Sequence, residues 1–138
     1  MNEFVMDASI TLTWCFSEEA TSSTKSLLER METNIAYVPS IWPLEVSNIL
    51  LAAERKKRIT YAGIMYFLTL LKNIKIQVDS ETGDRSFHEI LSLAHTEQLT
   101  TYDAAYLELA MRLGLPLATK DRDLHKSAKR LGVHMLPI

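Results

Sequence analysis

The sequence predicts an α/β fold in which helices cover both faces of a parallel sheet. Two observations carry that expectation. Short apolar runs of strand length alternate with longer stretches of helical period nearly throughout, and this alternation favours parallel strands joined by crossover helices. The chain also has 138 residues, 47% of them hydrophobic, which is enough for one compact core and too little for two ordinary domains. Glycine and proline number four each, and no linker, repeat or low-complexity tract interrupts the pattern. Residues 1–138 therefore read as a single domain.

Each element has its own local signal. Phe4 to Met6 is a strand candidate that runs into Asp7. Ser17 to Met31 reads as a helix, because Ala20, Thr24, Leu27, Leu28 and Met31 recur on one side. Asn34 to Val38 is a second strand candidate, closed by Pro39. Ser40 is placed to cap the next helix, and Pro43 falls in its first turn, where a missing N–H costs little. That helix runs to about Lys57, with Trp42, Val46, Ile49, Leu50 and Ala53 on its buried side. Thr60 to Leu71 is another helix. Ile74 to Val78 alternates like a strand, and Asp79 to Gly83 turns the chain. Arg85 to Ala94 has helical spacing. A helix then begins at Thr101 and runs to Leu113, where Gly114 stops it. Leu115 to Thr119 is a strand candidate, Asp123 to Leu131 a short helix, and Val133 to Leu136 a last strand candidate.

Charge and cysteine content narrow the function classes. Formal net charge is −2, whereas a protein that lives by coating duplex nucleic acid usually carries an excess of positive charge. A nuclease whose metal ions meet the phosphates is compatible with that balance. The lone Cys15 excludes an internal disulfide. No apolar run reaches membrane-spanning length and no signal-peptide pattern opens the chain, so a soluble cytoplasmic protein is expected.

In an open parallel sheet, function sits at the carboxyl ends of the strands. Asp7 directly follows the first strand candidate, and Asp121 lies two residues beyond Thr119 at the end of another. Both are expected on one rim. Glu45 and Asp103 each fall in the first turn or two of a helix, where free N–H groups favour anions. Glu45 shares its direction with Trp42, Ile49 and Ala52, and Asp103 with Tyr106, Leu107 and Ala110. A carboxylate at the border of an apolar face is costly unless it is paired or binds a metal. Four grouped carboxylates repel, by about 4 kcal/mol per pair at ~4 Å and moderate dielectric. A divalent cation reverses that sign, and an all-oxygen donor set suits magnesium or manganese.

The pieces VMDASI, VPSIWPLEVSNIL, LTTYDAAYLELAMRLGLPLATKD and the following RDL, in this order and spacing, resemble the PIN-domain ribonucleases, specifically the VapC toxin branch of type II toxin–antitoxin systems. The resemblance covers essentially the whole chain. It implies a three-layer α/β/α fold with a central parallel sheet in the order 3-2-1-4-5. It also implies a magnesium- or manganese-dependent endoribonuclease, a homodimer and a VapB-like antitoxin. The family's acidic quartet falls on Asp7, Glu45, Asp103 and Asp121. Asp123 matches an acidic position present in some members, and Ser9 and Thr119 match small hydroxyl positions beside the site.

Plainer readings stand beside these. Asp7 suits an ordinary turn, Glu45 and Asp103 suit acidic first turns, Asp121 suits a helix cap and Asp123 the dipole of the same helix. Ser9 suits a local backbone cap, and Thr119 suits strand packing. The basic run Arg55 to Arg58 reads as a solvated helix end. Lys120 and Arg122 near the site, with Lys126, Lys129 and Arg130 on one side of the last helix, are candidates to guide RNA phosphates. Leu50, Leu51 and either Ile64 or Met65 are candidates for partner surfaces. A receiver-like domain fits poorly, because Asp7 stands alone on the first strand and Asp79 follows a poorly matching one. A haloacid-dehalogenase-like phosphatase would need Asp-x-Asp where Asp7-Ala8-Ser9 occurs. A non-catalytic RNA- or protein-binding module is the alternative of a different class.

Overall fold

A computed structural model describes residues 2–138. Strand β1 (Glu3–Met6) is followed by helix α1 (Ala8–Thr13), a 3-10 turn at Ser17–Glu19, α2 (Ser22–Glu29) and a second 3-10 turn at Arg30–Glu32. Then come β2 (Ile35–Val38), α3 (Trp42–Arg55), α4 (Tyr61–Leu71), β3 (Ile76–Val78) and α5 (Thr82–Arg85). A π turn at Ser86–Ile90 leads into α6 (Leu91–Glu97), α7 (Thr101–Leu113), β4 (Leu117–Ala118) and α8 (Arg122–Arg130).

The architecture is a three-layer α/β/α sandwich whose central sheet has the order β3-β2-β1-β4, all parallel. Val5 stands opposite Tyr37 on one side and Leu117 on the other. The fifth strand expected at Val133–Leu136 contracts to one parallel bridge, Leu117 with Met135. Its partner β4 is only two residues long, which leaves little edge for a further strand to pair with.

The core lies around β1, where Phe4, Val5 and Met6 are fully buried. Helix α7 covers β1 and β4. It is buried continuously from Ala104 to Ala110, as a helix enclosed on all sides must be. Trp42, Val46, Leu50 and Ala53 form the inner face of α3, and Ile64 and Phe67 that of α4. Leu50 and Ile64 are therefore core residues, not partner surface. Ile49 is the reverse case, expected inside but 39% exposed.

Two other local expectations change, and one helix stands where no element was expected. Helix α1 has no polar side to create a period, because five of its six residues are buried. The helix expected over Ser17–Met31 breaks at Ala20, which is extended (ψ 145°), and restarts with a Thr21–Thr24 capping box. Ser40 does not cap α3. Ile41 holds that position without a side-chain bond, and the Ser40 N–H donates to Thr82 Oγ1 at 3.0 Å. The stop at Gly114 is as expected: it is left-handed (φ 66°), and its N–H donates to Ala110 and Met111 carbonyls.

Candidate active site

The sheet order fixes where a site belongs. β1 has β2 on one side and β4 on the other, so the chain leaves it in opposite directions. The crevice beyond the carboxyl ends of β1 and β4 is the switch point at which open α/β sheets bind ligands. Asp7 stands at the end of β1 and its N–H donates to Ala118 O at 3.2 Å. Asp121 follows β4 by three residues.

Asp7 is 5% exposed. Its Oδ1 accepts the Ser9 hydroxyl at 2.5 Å and the Ile10 N–H at 3.3 Å, so the carboxylate also caps α1. Its Oδ2 accepts the Thr119 hydroxyl. Both hydroxyls have second partners. Ser9 Oγ accepts the Lys120 N–H and Thr119 Oγ1 accepts the Asp121 N–H, each at 3.0 Å. The two small side chains thus clasp the start of the chain to the turn after β4. Burial pushes the Asp7 pKa up to about 6; the hydroxyl and N–H bonds oppose that rise, and the charge of Asp103 adds to it.

Glu45, in the first turn of α3, reaches across to α7. Its Oε1 accepts the Tyr106 hydroxyl at 2.6 Å. Tyr106 is 1% exposed, and burial together with this bond raises its pKa far above the ordinary tyrosine value. Asp103 opens α7, where its N–H donates to the Thr100 cap at 3.1 Å. The Asp103 carboxyl has a raised pKa, first from burial, then from the charges of Asp121 and Glu45, with a smaller part from Asp123. Asp121 caps α8 by accepting the Leu124 N–H at 2.8 Å.

The fold therefore brings Asp7, Glu45, Asp103 and Asp121 into one electrostatic neighbourhood, and Asp103 lies at its centre. The helix-capping roles of Asp7 and Asp121 coexist with this grouping. The donor set is oxygen throughout, and burial followed by mutual repulsion raises the carboxyl pKa of Asp103; a hard divalent cation would relieve that repulsion. Among the described residues, no three acids or histidines converge closely enough to hold an ion in the arrangement seen.

Beside Thr119 and Asp121 lies a cavity of about 550 Å³, lined by Lys120, Arg122, Asp123, His125 and Lys126. Lys129 and Arg130 do not line it, and the Arg130 guanidinium is paired with Glu97. Lys120 Nζ donates to the Glu19 carbonyl at 3.3 Å. Arg58, expected in a solvated helix end, instead donates to Glu18 at 2.7 Å and Glu19 at 3.0 Å and lies 4.2 Å over the Phe16 ring.

Sequence reasoning missed the Tyr106–Glu45 bond, whose one signal was the i, i+3 spacing of Tyr106 from Asp103. It also missed an ion-pair cluster. Arg112 donates to both oxygens of Asp79, at 3.2 and 2.7 Å, and to Glu108 at 2.9 and 3.2 Å. Arg85 joins Glu81, Glu89 and Glu108. Asp79 is partly desolvated, yet the Arg112 bonds and charge outweigh that and hold its carboxyl below the ordinary range. The partners are far apart in sequence, so no local pattern announces them.

A family model described as the PIN domain matches residues 4–130. Three solved structures share the fold. The crystal structure of PAE2754 from Pyrobaculum aerophilum is 24% identical, with a TM-score of 0.68, over 91% of this chain and 86% of that one. VapBC2 from Rickettsia felis, bound to a DNA fragment from its promoter, is 15% identical, with a TM-score of 0.66, over 98% and 97%. FitAcB from Neisseria gonorrhoeae is also 15% identical, with a TM-score of 0.55, over 97% and 96%. No curated protein sequence matched. Among the described residues, no helix is long and apolar enough to cross a membrane.

Proposed function

Because this chain belongs to the PIN-domain family, we propose that it is a metal-dependent endoribonuclease and the VapC-like toxin of a toxin–antitoxin pair. The observation that carries the reading is the acid group at the carboxyl rim of β1 and β4, in which Asp103 feels the charges of Asp121 and Glu45, and Asp7 feels the charge of Asp103. Asp7, Glu45, Asp103 and Asp121 would hold Mg2+ or Mn2+. When bound, such an ion supplies an activated water and screens the charge that develops on the phosphate.

The chain's own residues do the rest. Ser9 and Thr119 keep both oxygens of Asp7 oriented, as outer partners of metal ligands do. Asp123, exposed at the rim of the cavity, is a supporting acid. Lys120, Arg122 and Lys126 line that cavity and are proposed to receive RNA phosphates, with Lys129 and Arg130 in a lesser role. Contacts of this kind add salt-sensitive affinity without base choice.

Two surfaces support the proposed partners. A groove of about 480 Å³ lies between α3, α5, the π turn and α7, and its lining holds no charged residue. Phe87 stands 85% exposed on it. A projecting apolar side chain beside an apolar groove on one face suits a second copy of the chain related by a two-fold axis. Helix α4 carries no charge in eleven residues and exposes Tyr61, Met65, Tyr66 and Leu70, a stripe suited to a helix of a VapB-like antitoxin.

The test incubates antitoxin-free protein and the Asp103→Asn variant with a structured RNA pool in magnesium, manganese or chelator. Metal-dependent cuts by the parent alone support the reading. RNA retention without cleavage would favour a non-catalytic binding module, the reading with which the unconverged acids are also compatible.

A further inference from the structure

Tyr106 is the largest of the fully buried side chains. A phenylalanine would fill the same volume without needing a hydrogen-bond partner. A buried tyrosine hydroxyl needs one, and a backbone carbonyl would serve. Here the partner is the carboxylate of Glu45, 61 positions away in sequence, at 2.6 Å. That distance is typical of a charge-assisted O–H···O bond. The donor also sits one turn beyond Asp103 on α7. One helix therefore presents one acid of the group directly and restrains a second through a hydroxyl.

The restraint has a clear geometric effect. Glu45 projects from the first turn of α3 on three rotatable side-chain bonds, and its residue is only partly buried. Unrestrained, it would sample rotamers that lead away from the other acids. The phenol ties one oxygen, and among the described residues no hydrogen bond competes for Oε2. Asp7 is held by the same device, with Ser9 and Thr119 as donors. Among the hydroxyls that hold these two acids, Tyr106 alone is carried by α7.

We propose that Tyr106 is a positioning residue whose hydroxyl orients Glu45 for divalent-cation binding. The inference rests on the metal-dependent reading of the acid group. Tyr106→Phe keeps the ring in the core and removes only the donor.

The test is a thermodynamic cycle of the parent, Tyr106→Phe, Glu45→Gln and the double variant. Mn2+ affinity is measured by calorimetry without RNA, and thermal unfolding is followed on each metal-free protein. Tyr106→Phe is expected to fold and to bind Mn2+ about 10-fold more weakly, the lower end of what losing an outer partner of a metal ligand costs. In the Glu45→Gln background the same change is expected to cost nothing further, because the hydroxyl acts through Glu45. A folded Tyr106→Phe protein with parental Mn2+ affinity overturns the proposal, as do equal losses in both backgrounds. A parent that binds no Mn2+ overturns the metal-dependent reading itself, which separates the two failures. A Tyr106→Phe protein that fails to fold overturns the proposal as well, because the bond then serves the core and not the placement of Glu45.

Discussion

At Asp7 the carboxyl is buried and its pKa is raised from 3.8 to about 6. A group raised in the folded state stabilises that state below its unfolded pKa and loses the contribution as pH rises through the folded value. The shift corresponds to roughly 3 kcal/mol by linkage. The metal-free protein is therefore expected to lose thermal stability between about pH 4 and pH 6. Asp103, also raised, acts in the same direction. Asp7→Asn should flatten that window, as melting curves from pH 4 to 8 will show. Added Mn2+ should raise the midpoint more at pH 7.5 than at pH 5, since cation and proton compete for the same oxygens. Asp103→Asn should abolish cleavage by more than the roughly 10–100-fold typical of outer partners, with its fold unchanged by circular dichroism. Asp7 and Asp121 were legible in the sequence because each follows a strand. Tyr106 was not, because its hydroxyl finds its acceptor only after α3 and α7 pack.

Among the elements, α7 shows what periodic sequence can specify. Thr100 caps it, Gly114 ends it and its bounds match expectation. Replacing Leu107, fully buried within it, by alanine should cost about 2–5 kcal/mol in denaturant unfolding. Helix α1 and the Ala20 break were not legible. The first lacks a solvent face, and the second depends on a capping box of two threonines. The Arg112 cluster is likewise tertiary. Arg112, Asp79 and Glu108 side chains are 14%, 11% and 9% exposed. Arg112→Met should leave the desolvated Asp79 without a cationic partner and Glu108 with Arg85 alone, and cost about 3–5 kcal/mol. The contribution of Asp79, whose pKa is lowered, is present above its unfolded value and lost as pH falls through the folded one. It acts below the window of Asp7 and not against it.

For the whole molecule, the parallel layering was legible from alternating elements, while the fifth strand was not, because one bridge is too short to leave a periodic signature. The groove at Phe87 predicts that Phe87→Glu shifts a dimer toward monomer, read by sedimentation at equal concentration. A parent that stays monomeric when concentrated would count against that surface.

The clasp between Asp7 and Thr119 spans 112 positions, and this has a consequence for timing. A chain emerging from the ribosome exposes the first two of the four acids long before β4 arrives, and the third shortly before it. Contacts of such separation form late, so a nascent chain carries the parts of the site without the site. A chain cut short before Thr119 lacks both the clasp and Asp121, so the grouped acids exist only once nearly all of the described fold has been made.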